Sequence, residues 1–115
     1  MMVQTVNEKT FNQEVLEASI PVIVNFWAPW CGLCRIVEPL LPQFQATSPT
    51  PIKLVRVNAD ESLRLAKTYR LTTLPTLLWF ERGQIIYRLD SFQDPSQLRT
   101  TLKSLLDSLP VLSVK

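Results

Sequence analysis

The chain has 115 residues, 46% apolar and 19% charged, with a formal net charge of +2. This is ordinary globular composition, long enough for one hydrophobic core, and no Lys/Arg block reads as a nucleic-acid or membrane-surface patch. The absence of histidine excludes a Ser–His or Cys–His nucleophile pair, and two glycines in all exclude a Gly-rich phosphate loop.

Met1–Lys9 has no apolar h-region or cleavage signature, and no apolar run approaches the ~20 residues of a membrane span. The expectation is a soluble, cytoplasmic, monomeric protein with a single domain over residues 1–115 and no cofactor. Val3–Val6 reads as a short first strand. Phe11, Val15 and Ala18 fall at i, i+4 and i+7 and predict an amphipathic helix over Glu8–Ser19, ended by Pro21. Val22–Trp27 is a nearly continuous run of β-branched and aromatic residues, the pattern of a strand covered on both faces, with Asn25 its one polar interruption.

Ala28-Pro29-Trp30 turns the chain into a helix predicted from Cys31 to Ala46 and kinked at Pro39. Ile52–Asn58 reads as a strand, and Asp60 as the N-cap of a helix to Tyr69. Pro75–Phe80 and Ile85–Leu89 form a hairpin turning at Gly83. Asp94-Pro95-Ser96-Gln97 is a helix start with cap and first-position proline; Leu98, Leu102, Leu105 and Leu109 form its buried stripe, and Pro110 is expected to stop it. The order βαβαβαββα implies a largely parallel central sheet, mixed by its terminal hairpin, with helices on both faces.

Cys31 and Cys34 are the only cysteines and lie where a buried strand meets a helix. A helix N-terminus presents unpaired N–H groups and positive partial charge, which favour the thiolate that does exchange chemistry. Cys31 is expected to be the exposed attacking thiol and Cys34 the more buried resolving one. Half of a zinc site is the competing reading, short of two of its four ligands unless a dimer shares the metal. A purely structural disulfide is another, although a loop this small would stabilise little.

Phe26-Trp27-Ala28-Pro29-Trp30-Cys31-Gly32-Leu33-Cys34 resembles the active-site segment of the thioredoxin family, with Pro39 at its helix kink, Leu74-Pro75-Thr76 at its cis-proline segment and Gly83 at its hairpin turn. The likeness spans about residues 3–109. It implies an α/β fold of five strands and four helices, reduction of protein disulfides, and re-reduction by a thioredoxin reductase or another dithiol donor. It implies substrate docking around Trp30, Leu33, Leu74 and Pro75. A more oxidising oxidase or isomerase role, or a redox-inert binding module, are the alternatives.

Three departures from the family pattern stand out. Asn25 replaces a buried aspartate and cannot take a proton. It is expected to be a buried, hydrogen-bonded amide, while Glu38, one turn after Cys34, takes over as carboxylate with Arg56 as partner. Leu33 replaces a proline; its restored N–H is expected to point at the Cys31 sulfur and make the couple less reducing. Ser91 replaces a glycine of the docking loop; with Phe92 it narrows the groove, while Asp90 adds negative charge. Arg35 reads as a solvated helix charge, and Trp27 as packing beneath the site.

Overall fold

The computed structural model describes residues 3–91 and 94–113, with side chains placed as far as residue 105. Five strands run β1 (Val3–Thr5), β2 (Val22–Trp27), β3 (Lys53–Asn58), β4 (Thr76–Glu81) and β5 (Gln84–Leu89), in the spatial order β1-β3-β2-β4-β5. β1, β3 and β2 are parallel, while β4 is antiparallel to both β2 and β5. The helices are α1 (Gly32–Val37), α2 (Leu40–Thr47), α3 (Leu63–Thr68) and α4 (Pro95–Ser113). This is the mixed five-stranded α/β fold with four helices that the sequence implies.

β2 explains its own composition. Val22, Val24 and Phe26 pack on one side with Phe11, Val15, Val57 and Phe80, and Leu65, Tyr69, Leu71 and Leu74 cover them. Ile23 faces the other side, among Val37, Leu41, Phe44, Leu54, Leu77, Trp79 and Leu98. Because side chains alternate along a strand, Asn25 and Trp27 share the face of Ile23, the one covered by α1, α2 and α4.

The kink predicted at Pro39 is a full break. α1 ends at Val37, and Pro39 is the N-cap of α2. Pro42 follows in the first turn of α2, where a missing N–H costs nothing. Arg82 and Gly83 both take positive φ, 52° and 78°, the geometry of a tight hairpin turn. A Cβ at Gly83 would stand 3.0 Å from the Leu16 carbonyl oxygen, so glycine is required there.

Four expectations about elements are corrected. The first helical segment is a short π-helical turn, Asn12–Leu16, not a helix over Glu8–Ser19. The Asn7 side-chain oxygen accepts from the Lys9 and Thr10 N–H groups at 2.8 and 3.1 Å, and this turn delays the helix start. Asp60 does not cap α3. Ser62 occupies the cap position without a side-chain bond, and the Glu8 carboxylate accepts from Arg64 and Leu65 N–H at 2.6 and 3.3 Å. The third strand starts at Lys53 and the fourth at Thr76, a residue later than read. Pro110 does not stop α4, which continues to Ser113; the side chain of Leu109 lies outside the described residues. The cap at Asp94 is as read: its carboxylate accepts from Gln97 N–H at 3.0 Å and from the Ser96 hydroxyl at 2.7 Å.

Candidate active site

Cys31 is the N-cap of α1, with extended backbone, and its sulfur accepts from the Cys34 N–H at 3.1 Å. The sulfur thus occupies the place of an N-cap serine oxygen, on an otherwise orphaned helix donor. Cys31 and Cys34 are joined in a disulfide, with Cα atoms 5.3 Å apart. Among the described residues no group of three or more Cys, Asp or Glu is placed to hold a metal ion.

Two expectations at this centre need revision. Cys31 is not exposed: it is 6% accessible against 2% for Cys34, so the order is as expected but both residues are buried. The donor at the Cys31 sulfur is the Cys34 N–H and not that of Leu33. In the disulfide state, the residue at position 33 therefore adds no donor to the sulfur. Gly32 has open space where a Cβ would stand, so nothing steric demands glycine there.

Trp30 is 69% exposed, and its indole N–H donates to Asp60 at 2.9 Å. Asp60 is held in turn, because its N–H donates to the Asn58 side chain at 2.9 Å. The residue read as a helix cap instead anchors the tryptophan at the mouth of the site. Arg35 is not simply solvated: its guanidinium donates to the Pro29 carbonyl in the turn before Cys31.

Leu74–Pro75 is a cis peptide bond, as the resemblance implied. Ser91 has φ 58°, a left-handed backbone for which glycine is the easier residue, and its N–H donates to the Thr73 hydroxyl at 3.2 Å. Asp90 does not add a free negative charge, because Arg88 pairs with it at 2.9 Å. Phe92 lies outside the described residues.

Beneath α1 the polar residues do gather. Arg56 lies in register with Asn25, and its guanidinium bonds Glu38 at 3.0 Å while stacking 4.0 Å from the Trp27 ring centroid. Trp27 is thus a platform for a cation as well as a packing residue. Asn25 corrects the reading of a satisfied amide. It is 1% exposed, and neither its oxygen nor its nitrogen has a protein partner. The Arg56 Nε and Trp27 Nε1 atoms are likewise buried and unbonded.

Residues 2–104 match the family model described as thioredoxin. Thioredoxin 1 of Synechococcus elongatus is 44% identical over 102 residues, spanning 89% of this chain and 92% of the relative. Thioredoxin 1 of Nostoc sp. is 46% identical over 79 residues, or 69% and 74% of the two chains. The chloroplastic M-type thioredoxin of Chlamydomonas reinhardtii is 43% identical over 79 residues, or 69% and 56%. A cysteine pair closed at a strand-to-helix junction, within a chain this similar to thioredoxins, makes the protein a thiol–disulfide oxidoreductase that reduces protein disulfides. The chain belongs to the thioredoxin family.

Proposed function

We propose that Cys31 is the attacking thiol and Cys34 the resolving one. The observation that carries this is the placement of the Cys31 sulfur at the N-cap of α1, nearer the surface than Cys34 and beside exposed Trp30. The Cys31 thiolate attacks one sulfur of a substrate disulfide, and the other leaves as thiolate. Cys34 then gives up its proton and attacks the Cys31 sulfur. The second substrate thiol leaves, and the Cys31–Cys34 disulfide carries away the two-electron deficit until a dithiol donor restores it.

The substrate chain docks across Trp30, Leu33, Leu74, Pro75 and Ser91. A thioredoxin reductase or a similar dithiol donor closes the cycle, and one chain suffices because both sulfurs lie in it. A reducing compartment such as the cytoplasm suits a pair used for exchange. Glu38 is the carboxylate that serves the resolving step, with Arg56 holding it. Its place one turn along the helix from Cys34 and its ion pair with Arg56 support this reading.

Trapping tests the assignment. Cys34→Ser is expected to accumulate a mixed disulfide with a protein substrate through Cys31, and Cys31→Ser to accumulate none. The reverse pattern would exchange the roles, and no adduct in either would end the proposal. For Glu38, an unchanged pH profile of turnover in Glu38→Gln removes it from the mechanism.

A further inference from the structure

The loop that leads into Pro75 is tied to the end of β5 by side chains that the exchange chemistry does not use. Arg88 sits on β5 opposite Leu78, on the face that also carries Tyr69, Leu71 and Leu74. Its guanidinium makes three bonds. One nitrogen donates to the Tyr69 carbonyl, a second to the Arg70 carbonyl at 2.8 Å, and Nε to Asp90 at 2.9 Å.

Both carbonyls lie at the C-terminal end of α3, one at its cap and one just past it. Tyr69 is the C-cap of α3, and Arg70 follows at φ 52°. The Leu71 N–H closes back on the Ala66 carbonyl at 3.0 Å, completing a helix stop that normally uses glycine at the left-handed position. Here an arginine occupies that position, at a steric cost glycine would not carry. A cation donating to the last carbonyls offsets it and suits the negative end of the helix.

A second tie lies at the other end of the loop. The Thr73 hydroxyl accepts from the Ser91 N–H at 3.2 Å, and the Thr73 carbonyl accepts from the Thr76 hydroxyl at 2.7 Å. Residues 69–73, the stretch that leads into Leu74 and Pro75, are thus anchored to residues 88–91 at both ends.

We propose that Arg88 is a positioning residue for substrate, its planar fork setting the docking loop before Pro75 with Thr73 as the second anchor. The inference rests on the docking surface proposed above. An arginine is needed because two carbonyls and a carboxylate must be met at once in a fixed plane, and a lysine ammonium lacks that geometry. Binding is the step affected, since Arg88 reaches neither sulfur.

Steady-state reduction of insulin disulfides by wild type, Arg88→Met, Arg88→Lys and Thr73→Val, each kept reduced by excess dithiothreitol, tests this. Losing one anchor is expected to raise KM about fivefold with kcat little changed, the loss of roughly one hydrogen bond's worth of binding. Arg88→Lys should behave as Arg88→Met does, because charge without the fork is insufficient. Unchanged KM in Arg88→Met and Thr73→Val overturns the proposal, as does recovery of KM in Arg88→Lys or a fall in kcat at constant KM. Should Arg88→Met fail to fold, Thr73→Val, which keeps the branched shape and loses the hydroxyl that accepts from Ser91, carries the test. A wild-type protein that leaves insulin unreduced would defeat the functional reading itself, which is a separate result.

Discussion

The two faces of β2 differ in kind. On one, Val22, Val24 and Phe26 pack in an apolar cluster with Phe11 and Phe80. Tyr69 joins it edge-on and tilted, with ring centroids 5.7–6.2 Å from Phe11, Phe26 and Phe80. On the other, Asn25 and Trp27 interrupt the layer under α1, and Arg56 and Glu38 continue the polar line toward the surface. Buried polar atoms without protein partners are uncommon, and each asks for a reason. The first face has the job of holding the sheet together. The second supports the cysteines and keeps polar groups that packing alone would have removed.

This contrast can be broken from either side. Phe26→Ala on the apolar face is expected to cost about 3–5 kcal/mol, from lost burial and the cavity left behind. Its denaturant midpoint should fall accordingly, while the Cys31–Cys34 couple keeps its potential. Asn25→Leu should go the other way. Replacing an amide with two orphaned polar atoms by an apolar group of similar size is expected to raise stability by about 1 kcal/mol. A midpoint that falls instead would mean that Asn25 is bonded in solution and that the two faces are less different than they look.

Arg56→Met separates pairing from packing. The Arg56 and Glu38 side chains are 26% and 38% exposed, so their ion pair should contribute no more than about 1 kcal/mol. Added salt should weaken it in the parent and leave the variant unaffected. A larger loss would assign the cost to the stacking of Arg56 on Trp27.

Much of this arrangement is legible in the sequence, and the charged residues that were misread share a cause. The Val22–Trp27 run, the cysteine pair at a strand-to-helix junction and the Asp94 cap are local patterns, decided by neighbours within a few residues. The Glu38–Arg56 pair was readable because Glu38 closes the helix that follows β2 and Arg56 lies on the strand beside β2. The misread charged residues take partners that the topology supplies. Glu8 reaches α3 across 56 residues, so Asp60 is free of capping and takes the Trp30 indole, 30 residues away. Arg88 finds the α3 carbonyls 18 and 19 residues back. Nothing in a charged residue's own neighbourhood says whether it ends in water, on a helix terminus or on a tryptophan. The orphaned state of Asn25 was equally invisible, since only the packed core shows what is missing around an amide.

The smallest effect is expected at Asp94, the exposed cap of α4. Bonds from Ser96 and Gln97 hold its carboxyl below the ordinary value of 3.8. A carboxyl depressed in the folded state stabilises above its unfolded value, and that stabilisation is lost as pH falls through the folded one. Asp94→Asn keeps an oxygen at the helix start and should unfold at nearly the parent temperature near neutral pH. Asp94→Ala should unfold slightly lower. Both variants should lose less stability than the parent on acidification below about pH 4, because neither has this proton to take up. Thermal melts at pH 7 and pH 3 read the difference directly. Equal acid sensitivity in all three proteins would mean that the cap acts through its shape alone, with the charge contributing nothing.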